Sequence, residues 1–446
     1  MPYRTPDPEL PTPDSVRRVA VVGAGSSGLA AARNFLVRGF ETVIYERERD
    51  LGGNWNYGSP AARVYRSTHT ISSKPGTEYP DFPMPREYPD YPHHTQILEY
   101  LRNYAARFDL LSRTRFGAAV ERIAPVSGED PMTPWDLAVT GSAPERYDLV
   151  VIANGHHRTP RFPEYPGRYT GEILHSADYR TPDILAGKRV LVVGGGNSGC
   201  DIVVEAAQFA ERAWHSTRRG YWYMPKYLLG RPADQVADLM LALRIPLPLR
   251  RASAMLMHRI LVGSPRRTGL PKPDHRLFET HPVVNTLLPY YVGQGDIVPV
   301  PDIERFEGRQ AVFTDGRIAE VDLVIFATGY RLELPFLEHR HLQWENGRPA
   351  LYLNVFHPVY DTLFVAGLIQ PDSGQFGLVH WQMAAAAGFA RAAFEGRPAA
   401  HRLRRRKQDP NADLRTRIRY KDSPRHALEV EHWSYRRRLR RLAHAW

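Results

Sequence analysis

Val19-Ala20-Val21-Val22-Gly23-Ala24-Gly25-Ser26-Ser27-Gly28 is an apolar run that ends in three glycines. Their spacing suits a tight strand-to-helix turn. Such a turn lets a pyrophosphate approach the free N–H groups of the helix N-terminus. The pattern returns 171 residues later: Val190 to Val193 lead into Gly194-Gly195-Gly196-Asn197-Ser198-Gly199. A helical pattern follows each turn, Leu29 to Val37 closed by Gly39, and Asp201 to Phe209. One such fingerprint is weak evidence, but two, each after an apolar run and before a helix, are much stronger.

The two differ where nucleotides are told apart. After the first, the apolar run Thr42 to Tyr45 ends at Glu46. A carboxylate there binds two ribose hydroxyls and repels a 2′-phosphate. The equivalent stretch after the second is Ser216-Thr217-Arg218-Arg219, whose two guanidiniums suit a 2′-phosphate. One site therefore reads as built for FAD and the other for NADPH.

The halves also close alike, in Asp148-Leu149-Val150-Val151-Ile152-Ala153-Asn154-Gly155 and Asp322-Leu323-Val324-Ile325-Phe326-Ala327-Thr328-Gly329. Both are buried-strand patterns ending in small residues that let backbone approach a cofactor. An alternating strand precedes each, Trp135 to Thr140 and Gln310 to Thr314, the second followed by a turn at Asp315-Gly316. The expected fold is α/β with two Rossmann-like dinucleotide-binding domains. An FAD-binding domain spans 16–164 and 322–400, and an NADPH-binding domain is inserted at 165–321. Within the second, 227–291 departs from strand–helix alternation, and reads either as the lining of a substrate entrance or as plain packing.

Bulk properties narrow the function. Cys200 is the only cysteine, which excludes an intrachain disulfide, a multi-thiolate zinc site and a two-cysteine redox centre. No secretory leader is evident, and residues 1–15, Pro-rich and charged, read as a disordered arm. The apolar stretch Leu239 to Gly263 is broken by Arg244, Pro246, Pro248, Arg250 and Arg251, so no transmembrane segment is expected. A cytoplasmic enzyme is the default. The net charge of +11 is concentrated at one end: residues 401–446 hold 15 Lys and Arg against 5 Asp and Glu. This basic C-terminal tail reads as a solvated segment rather than a nucleic-acid surface, since no basic surface interleaved with aromatics accompanies it.

Tyr169-Thr170-Gly171-Glu172-Ile173-Leu174-His175-Ser176-Ala177-Asp178-Tyr179-Arg180, between the two nucleotide motifs, resembles the FxGxxxHxxx(Y/F)K fingerprint of flavin-containing monooxygenases. Tyr169 replaces Phe and Arg180 replaces Lys. The related Baeyer–Villiger fingerprint has Trp where this chain has Tyr179, so the match leans toward heteroatom oxygenation. Gly52-Gly53-Asn54-Trp55 resembles the family's GGxW flavin segment. Asp81 to Pro85, Gly196 to Gly199, Ala327 to Tyr330 and Gly367-Leu368-Ile369-Gln370-Pro371 also fit, so the likeness covers nearly the whole chain.

The resemblance implies a class B flavoprotein monooxygenase. NADPH would reduce FAD, and reduced flavin would take up O2. The resulting peroxyflavin would then oxygenate a soft nitrogen or sulfur of a small amine or sulfide. FAD would sit against Gly23, Gly25, Ser27, Gly28, Glu46, Gly53, Trp55 and Asn154. NADPH would sit against Gly194, Gly196, Asn197, Ser198, Gly199, Arg218 and Arg219. Thr328, Gly329 and Gln370 would complete the cofactor contacts. Many members carry Asn in a Thr-Asn-x-Ser-Lys stretch beside the flavin; here it is Thr70-Ile71-Ser72-Ser73-Lys74. Ile71 cannot donate a hydrogen bond, which leaves Ser72 as the alternative catalytic donor. Three rival readings remain: a Baeyer–Villiger enzyme for ketones or aldehydes, a peroxide-producing NADPH oxidase, and a non-catalytic nucleotide-sensing flavoprotein. No metal is called for, and a homodimer stays open.

Overall fold

The computed structural model describes residues 16–128, 130–345, 347–409, 418, 420–421 and 428–446. The expected disordered arm, 1–15, lies outside the described residues. Two five-stranded, wholly parallel sheets organise the chain. The first runs, edge to edge, Leu363–Val365, Leu149–Ile152, Arg18–Val22, Glu41–Glu46 and Thr114–Phe116. The second runs Glu172–His175, Leu323–Phe326, Arg189–Val193, Arg212–Ser216 and Ile297–Val300. Their central strands are Val-, Ile- and Leu-rich and almost wholly buried, as parallel strands covered on both faces must be.

The duplication read from the glycines holds at the level of single bonds. Asp148 accepts the N–H of Arg18 at 2.8 Å, and Asp322 accepts that of Arg189 at 3.0 Å. Gly23 N–H donates to Tyr45 at 2.8 Å, and Gly194 N–H donates to Ser216 at 3.0 Å. Ala153 and Ala327 donate to Val22 and Val193 at 2.9 and 2.8 Å.

The chain does not return to the first domain at 322: Leu323–Phe326 is an inner strand of the second sheet, paired to Arg189–Val193 and Glu172–His175. The chain returns to the first sheet only with Leu363–Val365. The strand's four consecutive apolar residues are buried equally well in either sheet, so its pattern could not say which one it joins.

The basic C-terminus also differs from a loose solvated segment. Helix Pro398–Lys407 and helix His432–Ala443 both pack on the Ala-rich helix Phe376–Phe394. Small side chains along that helix let the neighbours approach closely. Tyr435, Leu439 and Ala443 are buried, and the Tyr435 hydroxyl donates to the Leu353 carbonyl at 2.6 Å. Lys407, 1% exposed, lies 3.0 Å from the buried Asp361 carboxylate, and its Nζ donates to the carbonyls of His357 and Val359 at 2.6 and 2.9 Å. A buried ammonium so fully partnered fixes its helix in place.

His357 beside it predicts a pH effect. Its Nδ1 accepts the N–H groups of Val359 and Tyr360 at 3.1 and 2.8 Å, and its Nε2 donates to the His341 carbonyl at 2.8 Å. This arrangement requires the neutral ring, and burial, with Lys407 nearby, lowers its pKa to about 3. The folded state thus takes up this proton later than the unfolded chain does. The stability it contributes is complete above about pH 6.5 and is lost as pH falls toward 3. His357→Gln is expected to reduce the slope of stability against pH between 6 and 4 by about 1.4 kcal/mol per pH unit, in urea titrations at several pH values. An unchanged slope would remove His357 from this role.

Candidate dinucleotide and oxygenation site

Both glycine turns end at helix N-termini that no side chain caps. Helix Ser26–Val37 starts at Gly25 and helix Asn197–Phe209 at Gly196, both in extended conformation. Their first N–H groups are therefore free for an anion. Gly28 lies so close to the Gly23 carbonyl, and Gly199 to that of Gly194, that a Cβ at either would collide with backbone. Gly25 is different: a Cβ there would meet only the Cα of Gly53, at 3.8 Å. Gly25 and Gly53 thus form an open backbone cradle, and its bare N–H edge fits the diphosphate of FAD. Ser27 lies against Gly367, where a Cβ would strike its hydroxyl.

Glu46 is buried at the end of its strand. Its Oε2 accepts Ala24 N–H at 2.7 Å and its Oε1 accepts Glu48 N–H at 3.0 Å. Burial raises its pKa, while those two bonds oppose the rise. Each oxygen keeps further acceptor capacity, which fits a ribose diol. Trp55 packs edge-on against Phe376, with ring centroids 6.3 Å apart. Asn154 reaches the Glu333 carbonyl at 3.4 Å. Thr328 donates to the Arg161 carbonyl, and Gly329, at φ +85°, accepts Arg161 N–H at 2.9 Å. Gln370 N–H donates to the Leu428 carbonyl at 2.8 Å.

At the second turn, Arg218 is exposed and Arg219 half-buried. The Arg219 guanidinium lies over the Tyr221 ring at 5.8 Å, and that ring covers Gly195 so closely that a Cβ there would clash. Ser198 is exposed. An exposed Arg218 and the Tyr221-stacked Arg219 beside an uncapped helix start fit a 2′-phosphorylated dinucleotide. The Asn197 side chain is committed elsewhere: its Nδ2 donates to Pro282 O at 3.1 Å and its Oδ1 accepts Val284 N–H at 2.8 Å. It fastens the inserted segment to the turn.

That segment is more than a surface elaboration. It carries a short hairpin, Tyr227–Leu228 with Arg231–Pro232, and helices Ala233–Ala242, Leu247–Leu261 and Leu287–Gln294. It leans on the stretch 70–74. Lys226 Nζ donates to the Thr70 carbonyl at 3.3 Å, Tyr91 donates to the Lys226 carbonyl, and Ser73 N–H donates to Asp234 Oδ2 at 2.7 Å. Asp234→Ala leaves Ser73 N–H without this acceptor. Its amide exchange is expected to speed by about tenfold, measured by hydrogen exchange; unchanged protection would show that Asp234 does not hold the segment down.

A polar seam joins the halves. The Tyr65 hydroxyl and Asn285 amide both donate to Asp201 at 2.7 Å, while Tyr179 and Ser67 both donate to Glu205. Asp201 is thus an interdomain acceptor, and burial raises its pKa. Lys226, Asp234 and Tyr65 escaped the sequence reading because no local motif marks them. The basic residue directly ahead of an irregular insertion was the one available signal.

Ile71 is 36% exposed, and Ser72 Oγ lies 2.8 Å from the Thr77 hydroxyl. His175 packs against Phe162 and Tyr330, and its Nδ1 accepts Ala177 N–H at 3.0 Å. His93 caps helix His94–Arg107. Cys200 is buried. No cluster among the described residues could hold a metal ion, and no described helix is long and apolar enough to cross a membrane.

A family model described as flavin-binding monooxygenase-like matches residues 16–399. The N-oxide-forming dimethylaniline monooxygenase 2 of Pan troglodytes is 34% identical over 372 residues, covering 80% of this chain and 70% of that protein. Among solved structures, S-allyl-L-cysteine S-oxygenase from Allium sativum aligns with a TM-score of 0.67 at 21% identity, over 96% of this chain and 89% of that one. An open cyclohexanone monooxygenase aligns with a TM-score of 0.69 at 19% identity, over 96% and 98%. At these identities the two structures speak to fold alone.

Proposed function

The chain belongs to the flavin-binding monooxygenase-like family and is an FAD-dependent NADPH monooxygenase; from that premise we propose that it oxygenates a soft nitrogen or sulfur of a small organic substrate. Bound FAD, reduced by NADPH, supplies the electron transfer and the activation of O2. Everything else falls to the chain. The cradle of Gly25 and Gly53 and the first helix N-terminus hold the FAD diphosphate, and Glu46 holds its ribose. Arg218 and Arg219 hold the 2′-phosphate of NADPH beside the second helix N-terminus. The insertion, fastened at Asn197, Lys226 and Asp234, braces the stretch 70–74 that would lie beside the flavin. The lone, buried Cys200 suits a cytoplasmic setting.

The observation that carries the heteroatom reading is Tyr179, the fingerprint position where Baeyer–Villiger enzymes have Trp. It is fully buried and its hydroxyl is bonded to Glu205. The relative named for N-oxide formation supports the same reading. Given NADPH, O2 and equal amounts of methyl phenyl sulfide and cyclohexanone, the enzyme is expected to yield sulfoxide in large excess. A predominance of lactone would overturn the reading.

Ile71 favours a second outcome, peroxide release. Its side chain offers no donor, and the Ser72 hydroxyl is engaged with Thr77. Ile71→Asn is expected to raise product formed per NADPH severalfold and to lower peroxide in proportion. An unchanged ratio would show that coupling is set elsewhere.

A further inference from the structure

Several described basic residues of the C-terminal helices are already partnered. Arg404 and Lys407 pair with Asp361, Arg436 stacks on Trp433 at 4.8 Å, and Arg440 stacks on Trp381 at 5.2 Å. Five exposed arginines, Arg405, Arg406, Arg437, Arg438 and Arg441, line one cavity of about 830 Å³ from two helices. Asp409 is the one carboxylate among its lining residues. Arg405, Arg406, Arg437 and Arg441 form no ion pair with any described carboxylate. Arg438 lies beside the Tyr352 ring at 5.8 Å.

The two helices are anchored by Lys407 and Tyr435, so the exposed Arg405, Arg406, Arg437 and Arg441 share the lining of one cavity, where their like charges repel at an electrostatic cost. An anion relieves that cost. Guanidinium forks match phosphate oxygens two at a time, and the cavity is the size of a small-molecule site rather than of one inorganic ion. We propose that this cavity binds a ligand carrying at least two neighbouring phosphate groups, separate from both dinucleotide sites.

Two sources share that chemistry, a free polyphosphorylated metabolite and an anionic phospholipid headgroup. The test titrates inorganic tripolyphosphate into FAD-loaded enzyme saturated with NADP⁺, so that the nucleotide site is already filled. Wild type is expected to bind, and Arg437→Ala/Arg441→Ala to bind at least about tenfold more weakly, with NADPH-dependent turnover unchanged. Arg86→Ala/Arg259→Ala, which removes two exposed arginines elsewhere, should keep wild-type affinity. Sedimentation with phosphatidylglycerol or phosphatidylcholine vesicles separates the sources. Binding to the anionic vesicles that tripolyphosphate displaces assigns a headgroup; tripolyphosphate binding without vesicle binding assigns a free ligand. The proposal is overturned if wild type binds neither probe, if the cavity variant binds as wild type does, or if the control variant weakens binding equally.

Discussion

Gly28→Ala is expected to yield a chain purified largely without FAD, whereas Gly199→Ala keeps FAD and is no longer reduced by NADPH. The reason is steric and identical at the two turns. A methyl group at either position runs into the carbonyl of the first glycine of its own motif, Gly23 or Gly194. That carbonyl cannot yield, because the same glycines are pinned to the neighbouring strand at Tyr45 and Ser216. Overpacking of this kind costs about 1–3 kcal/mol in a core, and a backbone collision lies at the upper end. The helix start would move, and the anion would lose its aligned N–H groups. Flavin absorbance of the purified variants and anaerobic reduction by NADPH read the two losses separately. Loss of FAD in both variants, or in neither, would contradict the assignment of one turn to each nucleotide.

The second large effect is expected from Arg218→Ala/Arg219→Ala. Each guanidinium would contribute a charge-assisted bond of about 1.5–3 kcal/mol to the 2′-phosphate. Removing both should raise the KM for NADPH by roughly 100-fold, while NADH, which lacks that phosphate, changes by less than about threefold. Steady-state kinetics with both nucleotides tests this. Equal losses for the two would mean that the arginines act on something common to both, or on the fold.

What could be read from the sequence was whatever short-range pattern encodes. The two strand–turn–helix units and the strands Leu149–Ile152 and Leu323–Phe326 follow from periodicity and glycine spacing. Glu46 was legible because its place after a fixed apolar run determines where its carboxylate lies. Pairings that the fold makes over long separations were not legible. Nothing around Lys407 announces that it will meet carbonyls near residue 357, and nothing around Asn197 announces the backbone near 283. The same limit explains the boundary at 322. An apolar strand records that it is buried and leaves open which sheet buries it. The basic tail misled for a related reason: arginine-rich helices look solvated in sequence, although here Leu403, Leu439 and Tyr435 supply a buried face.

Electrons from NADPH should drive transfer of one atom of dioxygen to a soft heteroatom. Turnover of FAD-loaded enzyme with NADPH and methyl phenyl sulfide under ¹⁸O2 tests it most directly. The expected result is sulfoxide carrying one ¹⁸O atom, formed only when NADPH is supplied. NADPH consumed with stoichiometric peroxide and no labelled product from either a sulfide or a tertiary amine would contradict it.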